Sequence, residues 1–424
     1  MTPSRAIRIV LTSNAIEHLA FRFTQLALPL VVLSQFDSAA AAGLVGGLAG
    51  LPVVTSPWWA RRLRQRLSDG RGLAVVSLWQ AAAVLVVPTA MLVGALHLVV
   101  LAVAGLAVGV SDALASPGRT ALLGDLGDCI GDGMATRVIT WDDALRRAAM
   151  VVGPGLAGVG VHLGLTHVLL WVEGASLVVS ALVVRRVVLS PTAATASATA
   201  SVAHSGSTSV PDPLKPAAHH APGILASVRP HPDILRGWVM RGTSCLLWFA
   251  FALGLAVQGE RTGQAGTLYA TALTAYGLGS LAMTLVVGAR PPASRPLRVA
   301  TLSWVGQGLT FGAMALWTTP VPVAIWSAAA GGVTVIGIRA MTQLLVVQTR
   351  GPARRAALAG QSILVDVMVS LGMLTGGLVI DHVGVRAALG GAGLLIAAVA
   401  LVAGLSTGER AQVRRLPATA TVRG

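Results

Sequence analysis

The sequence contains few charged residues for its length. Only 11% of its 424 residues are Asp, Glu, Lys or Arg, whereas soluble proteins carry about 25%. Hydrophobic residues make up 54% of the chain, and the mean hydropathy is +0.75. A soluble fold of this size would lack the polar surface needed to cover its core. The composition therefore argues against a cytosolic enzyme or a soluble DNA-binding protein, although the net charge is +15.

Cysteines and catalytic signatures are also scarce. The two cysteines, Cys129 and Cys245, have no spacing typical of a disulfide framework or a zinc site, and we expect no metal. The sequence contains no nucleotide-binding loop, Ser-His-Asp arrangement or dinucleotide fingerprint. We therefore expect a protein that is not an enzyme, binds no nucleic acid and needs no cofactor. A proton gradient is the expected energy source.

Long apolar segments recur along the whole chain. A membrane-spanning helix needs about 20 mostly apolar residues. On this rule the sequence predicts twelve spans and an all-α protein of the lipid bilayer. The predicted spans are 9–34, 40–59, 72–94, 97–117, 139–162, 167–187, 235–257, 267–289, 298–317, 321–345, 357–380 and 386–406.

A polar stretch divides these spans into six plus six. Residues 190–233 are rich in Ala, Ser, Thr and Pro, which is typical of a flexible linker. We therefore predict a six-helix bundle over 1–189, a cytoplasmic linker over 190–233, a second bundle over 234–408 and a cytoplasmic tail over 409–424. The connection 118–138 is predicted to be a partly amphipathic cytoplasmic segment.

The basic residues predict the orientation in the membrane. Lys215 is the only lysine, and most arginines fall in the termini or in connections on one side of the twelve spans. Arg261 and Arg386 are the exceptions. Because cytoplasmic loops carry an excess of Arg and Lys, both termini are predicted to be cytoplasmic. We expect a multi-pass protein of a bacterial inner (plasma) membrane.

The two six-helix halves can be aligned with each other. An offset of 219 residues places Arg22 on Arg241 and Arg147 on Asp366. The same offset pairs glycines of the fifth and eleventh spans, Gly153 with Gly372 and Gly158 with Gly377. Two parallel repeats joined by a linker are typical of transporters in which the halves rock about a site at the middle of the membrane.

Four blocks of sequence carry a resemblance to a known family. They are ALPLVVLSQFDSAAAAGLVGGLAGLPVV (27–54), SPGRTALLGDL (116–126), GPGLAG (153–158) and LLVVQTRGPARRAALAG (344–360). In this order the blocks resemble the major facilitator superfamily, most closely its siderophore, macrolide and drug exporters. The resemblance implies two pseudo-symmetric six-helix bundles and a monomer. GPGLAG, with Gly153, Pro154, Gly155 and Gly158, is similar to the signature of drug antiporters and implies exchange rather than symport.

One loop departs from the pattern of this superfamily. Its members usually carry G-x-x-x-D-R-x-G-R-R after the second span, where an Asp helps to latch the cytoplasmic face. Here Gln65 and Arg66 occupy the Asp-Arg positions, and Asp69 and Arg71 follow. The latch is therefore weakened, or Asp69 has taken over the role.

Ionisable side chains within the spans are functional candidates, since burying a charge in a bilayer is costly. Glu17, Asp112 and Asp366 are candidate proton-coupling carboxylates, because burial favours the neutral form of a carboxyl group. The alternative for Glu17 is a hydrated position near the cytoplasmic face. Arg147 and Asp366 are expected to pair across the cavity, or each with a local neighbour. The candidate cavity or gating arginines are Arg22, Arg147, Arg241 and Arg339.

Uncharged polar and aromatic residues complete the candidate site. Asn14, Gln25, Trp248 and Tyr276 are candidate cavity residues, with helix packing as the alternative for each. Asp142, Asp143 and Arg146 are interpreted as a solvated helix end.

These patterns predict a proton-coupled secondary transporter that exports a small amphipathic compound, such as a drug or natural product. The apolar spans favour a lipophilic substrate over a sugar. The alternatives are a proton-symport importer of a small metabolite and a membrane receptor or accessory protein that transports nothing.

Overall fold

The structure is a computed structural model that describes residues 2–66, 70–131, 134–187, 224–264, 266–288 and 290–405. Every regular element in these ranges is a helix. The helices are α1 (Pro3–Phe36), α2 (Ala39–Arg66), α3 (Gly70–Leu92), α4 (Leu98–Asp128), α5 (Met134–His162), α6 (Thr166–Val184), α7 (Ile224–Val228), α8 (Pro232–Leu246), α9 (Trp248–Arg261), α10 (Thr267–Gly288), α11 (Pro296–Leu316), α12 (Pro320–Gln348), α13 (Gly351–Val383) and α14 (Val385–Leu405).

These helices form two six-helix bundles, as predicted. Helices α1–α6 build the first bundle, and α8–α14 build the second. The seventh span consists of two helices, because α8 ends at Leu246 and α9 begins at Trp248. Leu247 between them has φ −88° and ψ 3°, which interrupts the regular helix.

The predicted connection 118–138 is mostly helical. Helix α4 continues to Asp128 and α5 begins at Met134, so most of this segment belongs to the ends of two spanning helices. A helix satisfies its own backbone hydrogen bonds, so it can continue out of the hydrocarbon layer without further apolar residues. A rule that counts only apolar residues therefore makes such helices too short.

The predicted linker is tested only at its end. Residues 188–223 and 406–424 lie outside the described residues. They include most of the predicted linker (190–233) and all of the predicted tail (409–424). The last part, 224–233, forms α7 and the start of α8 rather than a flexible strand of chain. Val228 is fully buried, and Ile224 lies against Gly360 of α13. Packing of these apolar residues against α13 explains why residues 224–233 form helices.

In the described part of the chain, eleven helical segments are long and apolar enough to cross a membrane. Helix α5 is not among them. Its first half carries Arg137, Asp142, Asp143, Arg146 and Arg147, which lower its mean hydropathy. It nevertheless packs with α1 and α4 of its own bundle and with α10 of the other bundle. Of its charges, Asp142 and Asp143 are partly buried, whereas Arg137, Arg146 and Arg147 are exposed.

The outer surface of the bundles is apolar. Leu92, Leu285, Leu302, Leu309 and Val402 are between 66% and 73% exposed, and they come from both bundles. Large exposed apolar surfaces of this kind are unfavourable in water and favourable against lipid chains. The molecule is thus a multi-pass membrane protein.

The two bundles meet along two helix pairs, α2 with α13 and α5 with α10. Glycines permit the close approach of α2 and α13. A Cβ at Gly50 would overlap Ser370, and one at Gly377 would overlap the backbone of Ala39. Small residues at a crossing let two helix backbones pack closely in a membrane. These contacts lie near the start of α2 and the end of α13, which we call the contact end of the molecule.

A carboxylate from the second bundle closes the contact end. Asp381 accepts hydrogen bonds from the backbone N–H groups of Ala39 (3.1 Å) and Ala40 (2.9 Å) and from the Ser38 hydroxyl (3.3 Å). These groups form the start of α2. The first N–H groups of a helix have no partner within it, and the helix dipole favours an anion there. Asp381 therefore links the two bundles by capping a helix of the other bundle.

Replacing Asp381 with Asn should loosen the contact end. Loss of the charged cap costs about 1 kcal/mol, which is about a fivefold shift toward the state open at this end. The shift is measured as the rate at which maleimide labels Met373→Cys, in a background with Cys129→Ser and Cys245→Ala. Met373 lies against Gly43 and Gly46 of the other bundle, so opening of the contact end should expose it.

The matched control for this measurement is Asp37→Asn. Asp37 is exposed beside the start of α2 and adopts φ 45°, a conformation that Asn tolerates well. Its substitution removes the same charge without removing the cap. Equal labelling rates in Asp381→Asn and Asp37→Asn would show that the cap does not hold the bundles together.

Candidate functional site

A cavity of about 490 Å³ lies within the first bundle. Helices α1, α3, α4, α5 and α6 all contribute to its wall. Thirteen of the sixteen described residues that line it are polar or charged: Asn14, Glu17, His18, Arg22, Gln80, Asp112, Ser116, Arg119, Thr120, Asp142, Asp143, Arg146 and Glu173. The remaining three are Phe21, Ile139 and Leu177. Polar and charged side chains therefore dominate this cavity, although the chain as a whole is mostly apolar.

Glu17 forms the centre of this polar wall. Its side chain is 5% exposed and pairs with the guanidinium group of Arg119 on α4, which is 14% exposed. Glu17 is thus buried in an ion pair rather than freely hydrated. Two charges withdrawn from water are stable only when they are paired and their remaining hydrogen-bonding capacity is used.

Serines from two further helices complete this pair. Ser180 of α6 donates to Glu17, and Arg119 donates to Ser77 of α3 at 2.9 Å. A hydroxyl has one hydrogen to donate, so Ser13 must be the donor in its bond to Ser180. The chain Ser13–Ser180–Glu17–Arg119–Ser77 therefore joins α1, α6, α4 and α3.

Asp142 belongs to a second buried contact. The Asn14 amide donates to it at 2.8 Å, and the His18 ring nitrogen Nε2 lies 3.6 Å from it. The interpretation of Asp142 as part of a solvated helix end is wrong, because this carboxylate links α5 to α1. Asp143 fits that interpretation better, since it is part-exposed and pairs with Arg146 and Arg147.

Asp112 and Asp366 lie in opposite bundles. Asp112 on α4 lines the cavity, whereas Asp366 on α13 is not among the described residues that line it. Of the two alternatives for Arg147, the structure shows the local pair, because the Asp143 carboxylate lies 2.8 Å from Arg147.

The other three candidate arginines have separate partners. Arg22 donates to Gln25 at 2.6 Å, and its guanidinium group lies 5.5 Å from the ring centre of Phe21. Arg241 lies 5.3 Å from the Trp304 ring in the second bundle. Arg339 donates to the backbone carbonyl of Arg290 at 2.8 Å. Of the four candidate arginines, only Arg22 lines the cavity.

Trp248 and Tyr276 lie in an aromatic cluster of the second bundle. Their ring centres are 5.1 Å apart, and Phe251 and Phe311 complete the cluster. Tyr276 is buried and Trp248 is half-buried. The packing alternative thus describes Tyr276, and neither residue lines the cavity of the first bundle.

The Gly-Pro motif lies where α5 meets its neighbours. A Cβ at Gly153 would overlap Arg22, and one at Gly158 would overlap Ala270 of α10. Gly155 faces Thr274 of α10 at an ordinary contact distance, and Pro154 lies inside the helix. This motif therefore forms part of the contact between the bundles.

The loop after α2 is described only in part. Asp69 lies outside the described residues, and Gln65 and Arg66 belong to the last turn of α2, where their side chains are not described. Arg71 is exposed at the start of α3.

Sequence reasoning missed several of the residues that build the cavity. Arg119 was assigned to a cytoplasmic segment, because the apolar part of α4 ends just before it. Glu173 and Gln80 lie in otherwise apolar helices and line the same wall. A lone carboxylate in the apolar run THVLLWVEGASLVV was the signal that could have identified Glu173.

The arrangement of helices is shared with solved structures of low sequence identity. The nucleoside transporter NupG matches over 94% of this chain and 97% of its own, with a TM-score of 0.63 and 13% identity. A bacterial homologue of the human lysosomal transporter Spinster, in an inward-facing and unoccupied conformation, matches over 95% of this chain and 97% of its own, with a TM-score of 0.62 and 12% identity. The chain has the major facilitator fold.

A third structure, the human organic anion transporter MFSD10, shares this major facilitator fold with a TM-score of 0.53 and 14% identity, over 95% of this chain and 100% of its own. No protein-family model and no curated protein match the sequence. At these identities the likeness establishes the fold.

The Glu17–Arg119 pair should dominate the stability of the first bundle. Arg119→Gln leaves a buried carboxylate without its counter-ion, which costs about 3–5 kcal/mol. Glu17→Gln should also lower the free energy of unfolding. The double variant should lose less unfolding free energy than the two single variants lose together. SDS-induced unfolding of the purified protein in mixed micelles measures this coupling.

Asp143 and Arg147 provide the matched control cycle. Their side chains are 37% and 45% exposed, so their coupling should stay below about 1 kcal/mol. Equal coupling in the two cycles would contradict a special role for the buried pair.

Proposed function

We propose that this chain is a proton-coupled secondary transporter that exports a small amphipathic compound. The observation that carries the proposal is the buried Glu17–Arg119 ion pair in the wall of a polar cavity. A titratable charge in a membrane span is costly to keep and is typical of proton relays and substrate pathways.

The contacts between the bundles support alternating access. The glycine contacts of α2 and α5 with the opposite bundle involve residues 39–50 and 150–161, toward the contact end. The cavity is lined by residues 14–22, 112–120 and 139–146, which lie toward the other end. With both termini cytoplasmic, as the arginine distribution predicts, this arrangement is an inward-facing state. Rocking of the bundles would then expose the cavity on the opposite side.

Glu17 and Arg119 provide a means of coupling. A proton on Glu17 removes the charge that holds Arg119, and Arg119 then gains by moving toward another carboxylate. The two protonation states of Glu17 thus favour different arrangements of α1 and α4. Asp112 and Asp366 are secondary candidates, since both are carboxylates within spanning helices and Asp112 lines the cavity.

Export is the proposed direction because GPGLAG, at the α5–α10 contact, is similar to the signature of drug antiporters. The solved structures that share the fold are described as transporters, which supports transport over a receptor role.

Whole-cell efflux tests the proposal. A host without its own pumps is loaded with amphipathic dyes and antibiotics, with and without a protonophore. The wild type should show efflux that the protonophore abolishes. Glu17→Gln should lose this gradient-driven efflux while still catalysing downhill exchange, because the amide cannot release a proton.

The control is Glu260→Gln at the end of α9, which removes a carboxylate outside the cavity and should keep full efflux. Protonophore-sensitive efflux that persists in Glu17→Gln would transfer the coupling role to Asp112 or Asp366. Uptake instead of efflux would identify a symporter. Binding of a compound without any flux would identify a receptor.

A further inference from the structure

Glu173 is a buried carboxylate of the cavity wall with an oxygen that no described residue binds. It lies on α6, is 2% exposed, and its Oε2 atom accepts no hydrogen bond from the described chain. Three of the other four cavity carboxylates engage described neighbours: Glu17 binds Arg119 and Ser180, Asp142 binds Asn14, and Asp143 binds two arginines. A buried acceptor without a donor is unfavourable, so Glu173 is suited to a donor that arrives from the cavity.

The cavity as a whole carries an excess of acidic groups. Its described lining contains five carboxylates and three guanidinium groups. Two of these arginines are committed to carboxylates, Arg119 to Glu17 and Arg146 to Asp143, while Arg22 binds the neutral Gln25. Asp112 is exposed to the cavity, with no ion pair to an arginine among the described residues. The acidic surplus stands out in a chain whose net charge is +15.

We propose that Glu173 is the anchor of a binding subsite for a protonated amine, with Gln80 and Asp112 on the neighbouring walls. The proposal rests on the transport function above and names its substrate class: an amphipathic organic cation. The ammonium group would donate a charge-assisted hydrogen bond to Oε2 of Glu173. Such bonds are shorter and stronger than those between neutral groups.

The position of Glu173 separates this subsite from the coupling pair. Glu173, Leu177 and Ser180 are spaced at i, i+4 and i+7, so they share one face of α6. Ser180 at one end of this face binds Glu17. Glu173 lies about 10 Å farther along the helix. A ligand at Glu173 can therefore affect the Glu17–Arg119 pair without replacing either partner.

An anionic substrate fits this wall less well. Two of the three guanidinium groups that line it, Arg119 and Arg146, are already bound to carboxylates, and the third, Arg22, binds the Gln25 amide. Releasing Arg119 or Arg146 would leave a carboxylate without its counter-ion. A neutral compound could enter the cavity but would leave the acidic surplus uncompensated.

Binding to the purified full-length protein in detergent tests the subsite without a proton gradient. The probe is dansylcadaverine, a fluorescent primary amine. The N-acetyl derivative of the probe is a neutral compound with the same apolar body, and dansyl-6-aminohexanoic acid is an anion of similar length. We expect the amine to bind at least 10-fold more tightly than either comparison compound.

Glu173→Gln should weaken amine binding by about 10- to 100-fold, since a charge-assisted bond is replaced by a neutral one. Binding of the N-acetyl compound should stay unchanged. The variant should unfold at the same or a higher temperature than the wild type, because Oε2 has no described partner to lose. A purely structural Glu173 would instead lose stability. Asp128→Asn, exposed at the end of α4, is the charge-matched control and should bind like the wild type.

Equal affinity for the amine and its N-acetyl derivative would overturn the proposal. So would an amine preference that survives in Glu173→Gln, or no amine binding up to about 1 mM, the range of weak specific affinities. Amine binding that depends on Glu173, in a protein that shows no gradient-driven flux, would support the subsite and refute the transport function. The two proposals therefore fail on different measurements.

Discussion

The ion pair between Glu17 and Arg119 is the interaction on which the first bundle depends. Neither charge can remain in a low-dielectric interior unless the other is present, so α1 and α4 must stay in register. Ser180 and Ser77 extend the same requirement to α6 and α3. A polar cavity can exist beside this pair because its own hydrogen bonds stabilise the surrounding helices. The site for chemistry and the element that holds the bundle together are thus the same group of side chains.

The contact between the bundles follows a different principle, close packing of small residues related by the internal repeat. The 219-residue offset aligns Gly158 with Gly377, and in the structure each meets a helix of the opposite bundle. Gly158 lies against Ala270 of α10, and Gly377 lies against Ala39 of α2. Two equivalent glycines make two equivalent crossings, as expected for parallel repeats. Packing of this kind involves no buried charge, so these crossings can open at a lower cost than the Glu17–Arg119 pair.

Much of the fold was predictable from the sequence, because each span can be recognised from the length and polarity of its own residues. A helix or helix pair lies at each of the twelve predicted spans, and the predicted ends are wrong where α4 and α5 continue beyond the apolar region. The site was less accessible. Glu17, Asp112 and Asp366 were identified because a charge in an apolar run is conspicuous. Their partners were not, since Ser180 lies 163 residues from Glu17, and no local pattern predicts such a contact. The same limit applies to the pairing of Asp142 with Asn14, 128 residues apart.

The composition of the whole chain does not describe the cavity, for a physical reason. Most residues of a membrane protein face lipid or pack against other helices, so the average over the sequence describes those surfaces. The cavity is formed by a small minority of residues. Five of the sixteen acidic residues in the chain line it, and they outnumber the arginines beside them. The proposed selectivity depends on this local surplus and on which charges are already paired. The mean hydropathy of +0.75 indicates a membrane protein, whereas the proposed binding of an amine rests on the Glu173 oxygen that no described residue binds.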